Sequence, residues 1–448
     1  MKKLFGTDGI RGIVDKDLNP ELAFRVGRAF GSIIWEQQPA GVRKVVIGRD
    51  TRSSCEILES SLSSGLSSQG VDVSLVHVIP TPGLTFLTKT SGFAAGIMIS
   101  ASHNPAEYNG LKFIGADGFK LSDQEELKIE SIVENYERTN FANRHPGAIE
   151  RDVNAPAKYL DYLRRIEKIP LSGLKVVLDL ANGAAYSMAP QLITSLGASV
   201  KPISDKPDGA NINVNCGSTH IENLQKVMQS QDADVGFAFD GDGDRILAVD
   251  ENAQIVDGDQ IILIAALELA HQGQLRNNIV VTTVLSNYGL EEALQRHKIT
   301  LKRTQVGDRY VVEEMVRSGA TLGGEQSGHV VFLDYNTGGD GLITAVKLLA
   351  ILKKSSRKLS SLASEMVRYP QVQLNVKVRN TSNWESNYAI REAISNAERE
   401  FRGQGRVVVR ASGTEPLIRI MIEGKDDSKI RQTAEELAEV VRTAIGFQ

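Results

Sequence analysis

Cysteine is nearly absent: the 448 residues contain two, Cys55 and Cys216, far apart and neither in a CxxC pair. That argues against a disulfide framework or a zinc site and makes a reducing cytoplasm the expected compartment. Long apolar runs are lacking too. The opening MKKLFGTDGIRG has two lysines but no apolar stretch behind them, so no secretory leader is expected. No stretch approaches the ~18 apolar residues that span a bilayer, so no membrane partner is expected. Charge of one sign is also missing. A formal net charge of −4 offers no general basic face for nucleic acid, which is therefore not an expected partner. A small anionic substrate stays open, because local arginines and lysines can form a pocket. The composition, 41% hydrophobic and 24% charged, is that of an ordinary globular chain. Its length suggests about three domains at roughly 150 residues each.

One pattern recurs along the chain. A short apolar run ends in a polar turn and leads into a helical stretch: VVIGRDTR (45–52), KVVLDLANGAA (175–185) and IVVTTVLSNYG (279–289). Apolar runs without alternation suit strands buried on both faces, and their alternation with helices predicts βαβ units. From Pro370 the text changes to alternating strands, QVQLNVKV, RVVVRASG and LIRIMIEG, with helical stretches between and after them. The expected architecture is α/β: three similar mixed-sheet domains and a smaller C-terminal α+β domain. Their expected bounds are 1–154, 155–254, 255–368 and 369–448.

Four polar loops carry the chemistry. ISASHNPAEYNG (99–110) follows the apolar run FAAGIMI and places Ser102 beside His103, with Lys112 ten residues on. Serine is a weak nucleophile until a base, a metal or oriented donors activate it; taken alone, this loop also reads as a Ser/Asn/Pro turn. DGDGDR (240–245) alternates Asp240, Asp242 and Asp244 with glycine between two apolar runs. Glycine lets the backbone fold tightly, so three carboxylates can converge on one hard cation, and an all-oxygen set suits Mg²⁺. An EF-hand is disfavoured, because the sixth position is Arg245 where that turn needs glycine.

GGEQSGH (323–329) offers Glu325 and Ser327 to sugar hydroxyls and His329 to proton transfer near pH 7. The nearby VGDRYV turn (306–311) adds Gly307 and Asp308 to the expected substrate contacts. RASGTEPLIR (410–419) supplies Arg410 and Arg419 as cationic forks and Ser412, Gly413 and Thr414 as hydroxyl and N–H donors, a good phosphate cradle. Neither a G-x-x-x-x-G-K-[ST] loop nor a G-x-G-x-x-G opening a helix after a strand accompanies these loops. A phosphorylated metabolite is therefore favoured over ATP.

Taken together, SASHNP, DGDGDR, GGEQSGH and RASGTEP resemble, in order and over essentially the whole chain, the four motifs of the α-D-phosphohexomutase family. The resemblance implies four domains around a central cleft and a reversible exchange of phosphate between positions 6 and 1 of a hexose. The carrier would be phosphorylated Ser102 and the intermediate a bisphosphorylated sugar. It implies one Mg²⁺ per active site on Asp240, Asp242, Asp244 and the Ser102 phosphate, with Arg245 as electrostatic support. Lys112 is the expected proton acceptor or donor, its pKa depressed by neighbouring positive charge; His103, Arg11 and His329 are the other candidates. FGTDGIRG, NINVNCGSTH (211–220), VGDRYV and Gln326 resemble the branch that acts on hexosamine phosphates, whose product feeds UDP-N-acetylglucosamine and cell-wall precursor synthesis. A hexosamine 1,6-bisphosphate would be the activator, and a homodimer is implied. Ala411 departs from the proline that close relatives commonly carry there. A relative acting on mannose or glucose phosphates, a non-catalytic sugar-phosphate sensor and a metal-dependent phosphatase are the alternatives.

Overall fold

The computed structural model describes residues 4–446 apart from Thr7, Ala40, Asn383 and 413–415. The chain forms two compact units. The first comprises residues 1–283 and 304–363, the second residues 284–303 and 364–448.

The first unit contains three mixed sheets. Strands β1 (Ile10–Ile13), β2 (Lys44–Arg49), β3 (Asp72–Val78), β4 (Ala95–Ile99), β5 (Tyr108–Gly115) and β6 (Ile149–Arg151) form one, in the order β1-β5-β4-β2-β3-β6. Its inner strands β2, β3 and β4 run parallel, whereas β5 pairs antiparallel with both β4 and β1. The apolar text predicted for buried strands is buried here: all five residues of β4 are inaccessible. The helix expected after the 45–52 run is Cys55–Ser67, and it packs with the long helix Pro20–Gln37 over this sheet's core.

The second sheet orders β11-β10-β9-β7-β8, from β7 (Lys175–Asp179), β8 (Ser199–Ile203), β9 (Val235–Phe239), β10 (Ile246–Asp250) and β11 (Ile255–Val256). β7 pairs parallel with β8 and β9, and β9–β10 is an antiparallel hairpin whose register sets Phe239 opposite Ile246. The tip of that hairpin is DGDGDR. In the third sheet β12 (Ile279–Thr283) runs parallel to the strand Leu322–Gly324, which turns back antiparallel into Val330–Phe332. The GGEQSGH loop closes that turn.

The second unit is built on a three-stranded antiparallel sheet of Gln371–Lys377, Gly405–Ala411 and Leu417–Gly424, the last in the centre. Helices Tyr388–Glu400 and Asp427–Ile445 bury Ile390, Ile430, Leu437 and Val441 against it. The segment 284–303 belongs to this unit. Asn287 Nδ2 donates to the Tyr369 carbonyl at 3.0 Å, and Arg406 reaches both the Ser286 carbonyl (2.9 Å) and Glu423 (2.6 Å). Three mixed α/β sheets and a smaller C-terminal α+β fold are thus what the strand patterns predicted. Among the described residues no helix is long and apolar enough to cross a membrane.

Candidate functional site

β4 delivers the chain into the serine loop, where Ser102 adopts a left-handed backbone (φ 54°) and is buried. Its hydroxyl donates to Asp240 Oδ2 at 2.6 Å, and His103 Nδ1 lies 3.4 Å from Ser102 Oγ. The loop backbone is clamped from below. The fully buried Arg52 pairs with Asp50 at 3.0 Å and donates to the carbonyls of Ser102 (3.0 Å), Asn104 (2.9 Å) and Pro105. Asn213 Nδ2 donates to the same Ser102 and Asn104 carbonyls, at 2.9 and 3.0 Å. Ser100 Oγ donates to Asp50 at 2.5 Å and accepts the Ser102 N–H at 2.9 Å. A buried arginine is tolerated only with its charge and donors matched, and here they are.

The DGDGDR hairpin meets this loop closely. A Cβ on Gly241 would fall 2.5 Å from the Ser102 carbonyl oxygen, so only glycine permits the approach. Asp240, Asp242 and Asp244 are buried, with one oxygen of each within 4.8 Å of the others. Burial, then Asp244 and Asp242, pushes the Asp240 carboxyl well above its usual range. Burial would raise Asp242 as well, but the Lys112 ammonium at 2.6 Å and the Thr81 hydroxyl at 2.5 Å hold it below the usual range. Asp242 Oδ1 and Asp244 Oδ1 are buried without a hydrogen-bond partner. Two orphaned carboxylate oxygens beside a third, repelling carboxylate fit a hard divalent cation.

Lys112 corrects one expectation. A depressed pKa was expected from nearby positive charge. Burial does act in that direction, but Asp242, Asp8 and Asp244, at 2.6, 3.2 and 3.4 Å, outweigh it and hold the ammonium well above its ordinary value. His103 behaves in the opposite way. Burial, then Arg245 and Arg11, lowers it to about 4, so its ring is neutral at pH 7. Burial opposes the charge of Arg245, yet Asp244, Asp240 and Glu325 keep its pKa raised.

A cavity of about 540 Å³ opens beside these groups, lined by Lys112, Lys120, Asp244, Asp308, Arg309 and His329 among others. Arg11 pairs with Asp8, which also meets Lys112 and Lys120. Glu325 Oε1 accepts the Gly307 N–H at 3.2 Å, and Ser327 Oγ lies 3.4 Å from Glu325 Oε2. His329 Nε2 accepts the Gly339 N–H at 3.2 Å.

In the second unit Arg410 and Arg419 face each other in register on adjacent strands. Burial, then Arg419, lowers the pKa of Arg410. Like charges directly opposite destabilise a sheet, and an anion between them removes the cost. The Ser412 N–H donates to the Leu417 carbonyl, closing the mouth of the hairpin. Gly413 and Thr414 lie outside the described residues.

Four successive domain models, described as phosphoglucomutase/phosphomannomutase domains I, II and III and C-terminal domain, match residues 2–140, 157–254, 257–369 and 374–440. A curated phosphoglucosamine mutase of Thermoanaerobacter sp. (strain X514) is 50% identical over 446 residues, 98% of this chain and 99% of the relative. That of Desulforamulus reducens is 48% identical over 443 residues, again 98% and 99%. The chain belongs to the phosphoglucomutase/phosphomannomutase family. A crystal structure of a member from Burkholderia thailandensis superposes with a TM-score of 0.82 at 27% identity, covering all of both chains.

Within this phosphohexomutase site, reading the sequence missed Asp50, Arg52, Thr81, Asn213, Asp8 and Lys120. The first two stand in the RDTR turn after β2 and Asn213 in NINVNCGSTH, both segments already singled out. Nothing in either segment alone tells which side chain turns toward Ser102. The structure brings Ser102, His103, Lys112, the three aspartates and Arg245 together, with Asp308 and His329 lining the adjoining cavity and Arg11 paired with Asp8.

Proposed function

We propose that this chain interconverts glucosamine 6-phosphate and glucosamine 1-phosphate through phosphoserine at Ser102 and a bisphosphorylated sugar. The observation that carries the reading is the 2.6 Å contact of the Ser102 hydroxyl with Asp240, in a carboxylate triad that retains two orphaned oxygens. The curated relatives that match nearly the whole chain carry that activity in their names.

In the forward direction the bond from phosphorus to Ser102 Oγ breaks as one forms to the sugar's free hydroxyl, whose proton must leave. The intermediate then turns over and returns its other phosphate to Ser102. Asp240, Asp242, Asp244 and phosphorylated Ser102 would hold Mg²⁺, which supplies positive charge to the phosphate oxygens. Lys112 lends positive charge beside the triad, 2.6 Å from Asp242. The His103 ring, neutral at pH 7 and with Nδ1 3.4 Å from Ser102 Oγ, is the group placed to take the sugar hydroxyl's proton. Arg52 and Asn213 hold the loop's carbonyls while the side chain is loaded and unloaded. Glu325 and Ser327 grip sugar hydroxyls, and Arg410, Ser412, Gly413, Thr414 and Arg419 hold the phosphate that is not reacting. The division into 1–154, 155–254, 255–368 and 369–448 is part of this proposal, with one loop assigned to each part.

The test compares glucosamine 6-phosphate, mannose 6-phosphate and glucose 6-phosphate, with Mg²⁺ and a trace of the matching bisphosphate. A preference for glucosamine 6-phosphate without release of free phosphate is expected. A preference for another sugar overturns the substrate, and steady phosphate release makes the enzyme a phosphatase.

A further inference from the structure

We infer that Asp308 recognises the 2-ammonium group of an amino-sugar phosphate, and that Lys120 keeps its place while the cavity holds no such ligand. The inference rests on the substrate proposed above and adds how an amino sugar is told from a neutral hexose.

Lys120 and Asp308 both line the 540 Å³ cavity, and Lys120 Nζ lies 2.5 Å from Asp308 Oδ2. The same ammonium also pairs with Asp8. The two carboxylates differ in what else they hold. Asp8 meets Lys112 and Arg11 as well, so it keeps two cations if Lys120 moves. Asp308 has no such reserve. Its Oδ1 accepts the Arg309 N–H at 2.8 Å. His329 Nε2 lies 3.5 Å from Oδ2 and accepts the Gly339 N–H. Among the described residues, Lys120 is the one lysine or arginine within ion-pair distance of Asp308.

This arrangement is asymmetric. The four-carbon stem of lysine lets Nζ shift onto Asp8 without moving the backbone. Asp308 is then left charged at the cavity wall, at the first position of the helix Asp308–Ser318, where the helix dipole favours an anion. An incoming ammonium restores its partner. The 2-hydroxyl of a neutral hexose donates a hydrogen bond but no charge, so the carboxylate stays unneutralised. A site built around a charged group discriminates against an analogue that lacks it.

The experiment measures kcat/KM for glucosamine 6-phosphate and glucose 6-phosphate in wild type, Asp308→Asn and Lys120→Met. If wild type does not turn over glucosamine 6-phosphate, the proposed function fails and this inference falls with it. If wild type does, Asp308→Asn should lower the ratio of the two constants about 10- to 100-fold. An equal loss on both sugars overturns the recognition role, since a purely structural defect affects both. Lys120→Met removes the resident cation and leaves Asp308 intact, so the ratio should rise. A ratio unchanged or lowered overturns the place-holding role. Should Asp308→Asn not fold, calorimetric binding of the two sugar phosphates to wild type and Lys120→Met decides. Tighter binding of glucosamine 6-phosphate relative to glucose 6-phosphate in Lys120→Met supports the inference, and weaker relative binding overturns it.

Discussion

The hydroxyl of Ser102 lies 2.6 Å from Asp240 Oδ2, across 138 residues of sequence. The serine loop and the carboxylate hairpin are therefore in direct contact, and a change in either acts on both. Ser102→Ala should abolish mutase turnover while circular dichroism stays native. Normal turnover in that variant would remove Ser102 from the reaction.

A cation held by the aspartate triad should show through stability. Asp240 is raised by burial and by two neighbouring carboxylates, so Asp240→Asn relieves repulsion in metal-free protein. In chelator the variant should melt at or above the wild-type temperature. With Mg²⁺ the order should reverse, because a cation at ~100-fold its Kd stabilises wild type by about 2.7 kcal/mol. Thermal melts with and without Mg²⁺ check both halves.

Arg52 positions the serine loop without lying on the reaction path. Removing one partner of a buried ion pair costs about 3–5 kcal/mol, so Arg52→Met should destabilise by that order. The double variant Asp50→Asn with Arg52→Met should recover part of the loss. Urea unfolding of the two variants tests this, and additive losses would argue against a shared network.

His103 should make stability depend on pH. Its folded-state value, lowered to about 4, lies below the unfolded value near 6.5. Between these values the unfolded chain binds more protons, so stability is full above about 6.5 and falls as the pH drops toward 4. After allowance for partial solvation, the contribution is about 1–2 kcal/mol. Wild type minus His103→Gln, measured from pH 7 to pH 4.5, should show that slope.

Arg410 separates binding from stability. Arg410→Ala should weaken sugar-phosphate binding by about 1.5–3 kcal/mol. It should leave the ligand-free melting temperature unchanged or slightly higher, because Arg419 loses a like-charged neighbour across the ladder. Calorimetry and a melt on the same sample decide. Unchanged binding would remove this hairpin from the phosphate site.

Much of this was legible in the sequence because the loops announce themselves. An apolar strand, a cluster of small polar residues and a return strand mark Ser102 and the triad without any tertiary knowledge. The charge state of Lys112 was not legible. Asp242 reaches it from 130 residues away, and local text carries no sign of that approach. Arg52 was hidden for a similar reason. An arginine in a turn usually faces solvent, and only the assembled fold shows three carbonyls waiting for its five N–H groups. Lys120 reads as one more surface lysine after a glycine turn until Asp8 and Asp308 are seen on either side of it.

The clamp on the Ser102 carbonyl also bears on what changes during each reaction cycle. Arg52 and Asn213 grip the main chain and not the side chain, and the backbone at Ser102 is bent left-handed (φ 54°). Esterification and release at Oγ can then recur with little reorganisation of the loop. In the proposed cycle the sugar must turn over between the two transfers, so the lifetime of the bisphosphate in the site limits how many times one phosphate can be passed back and forth.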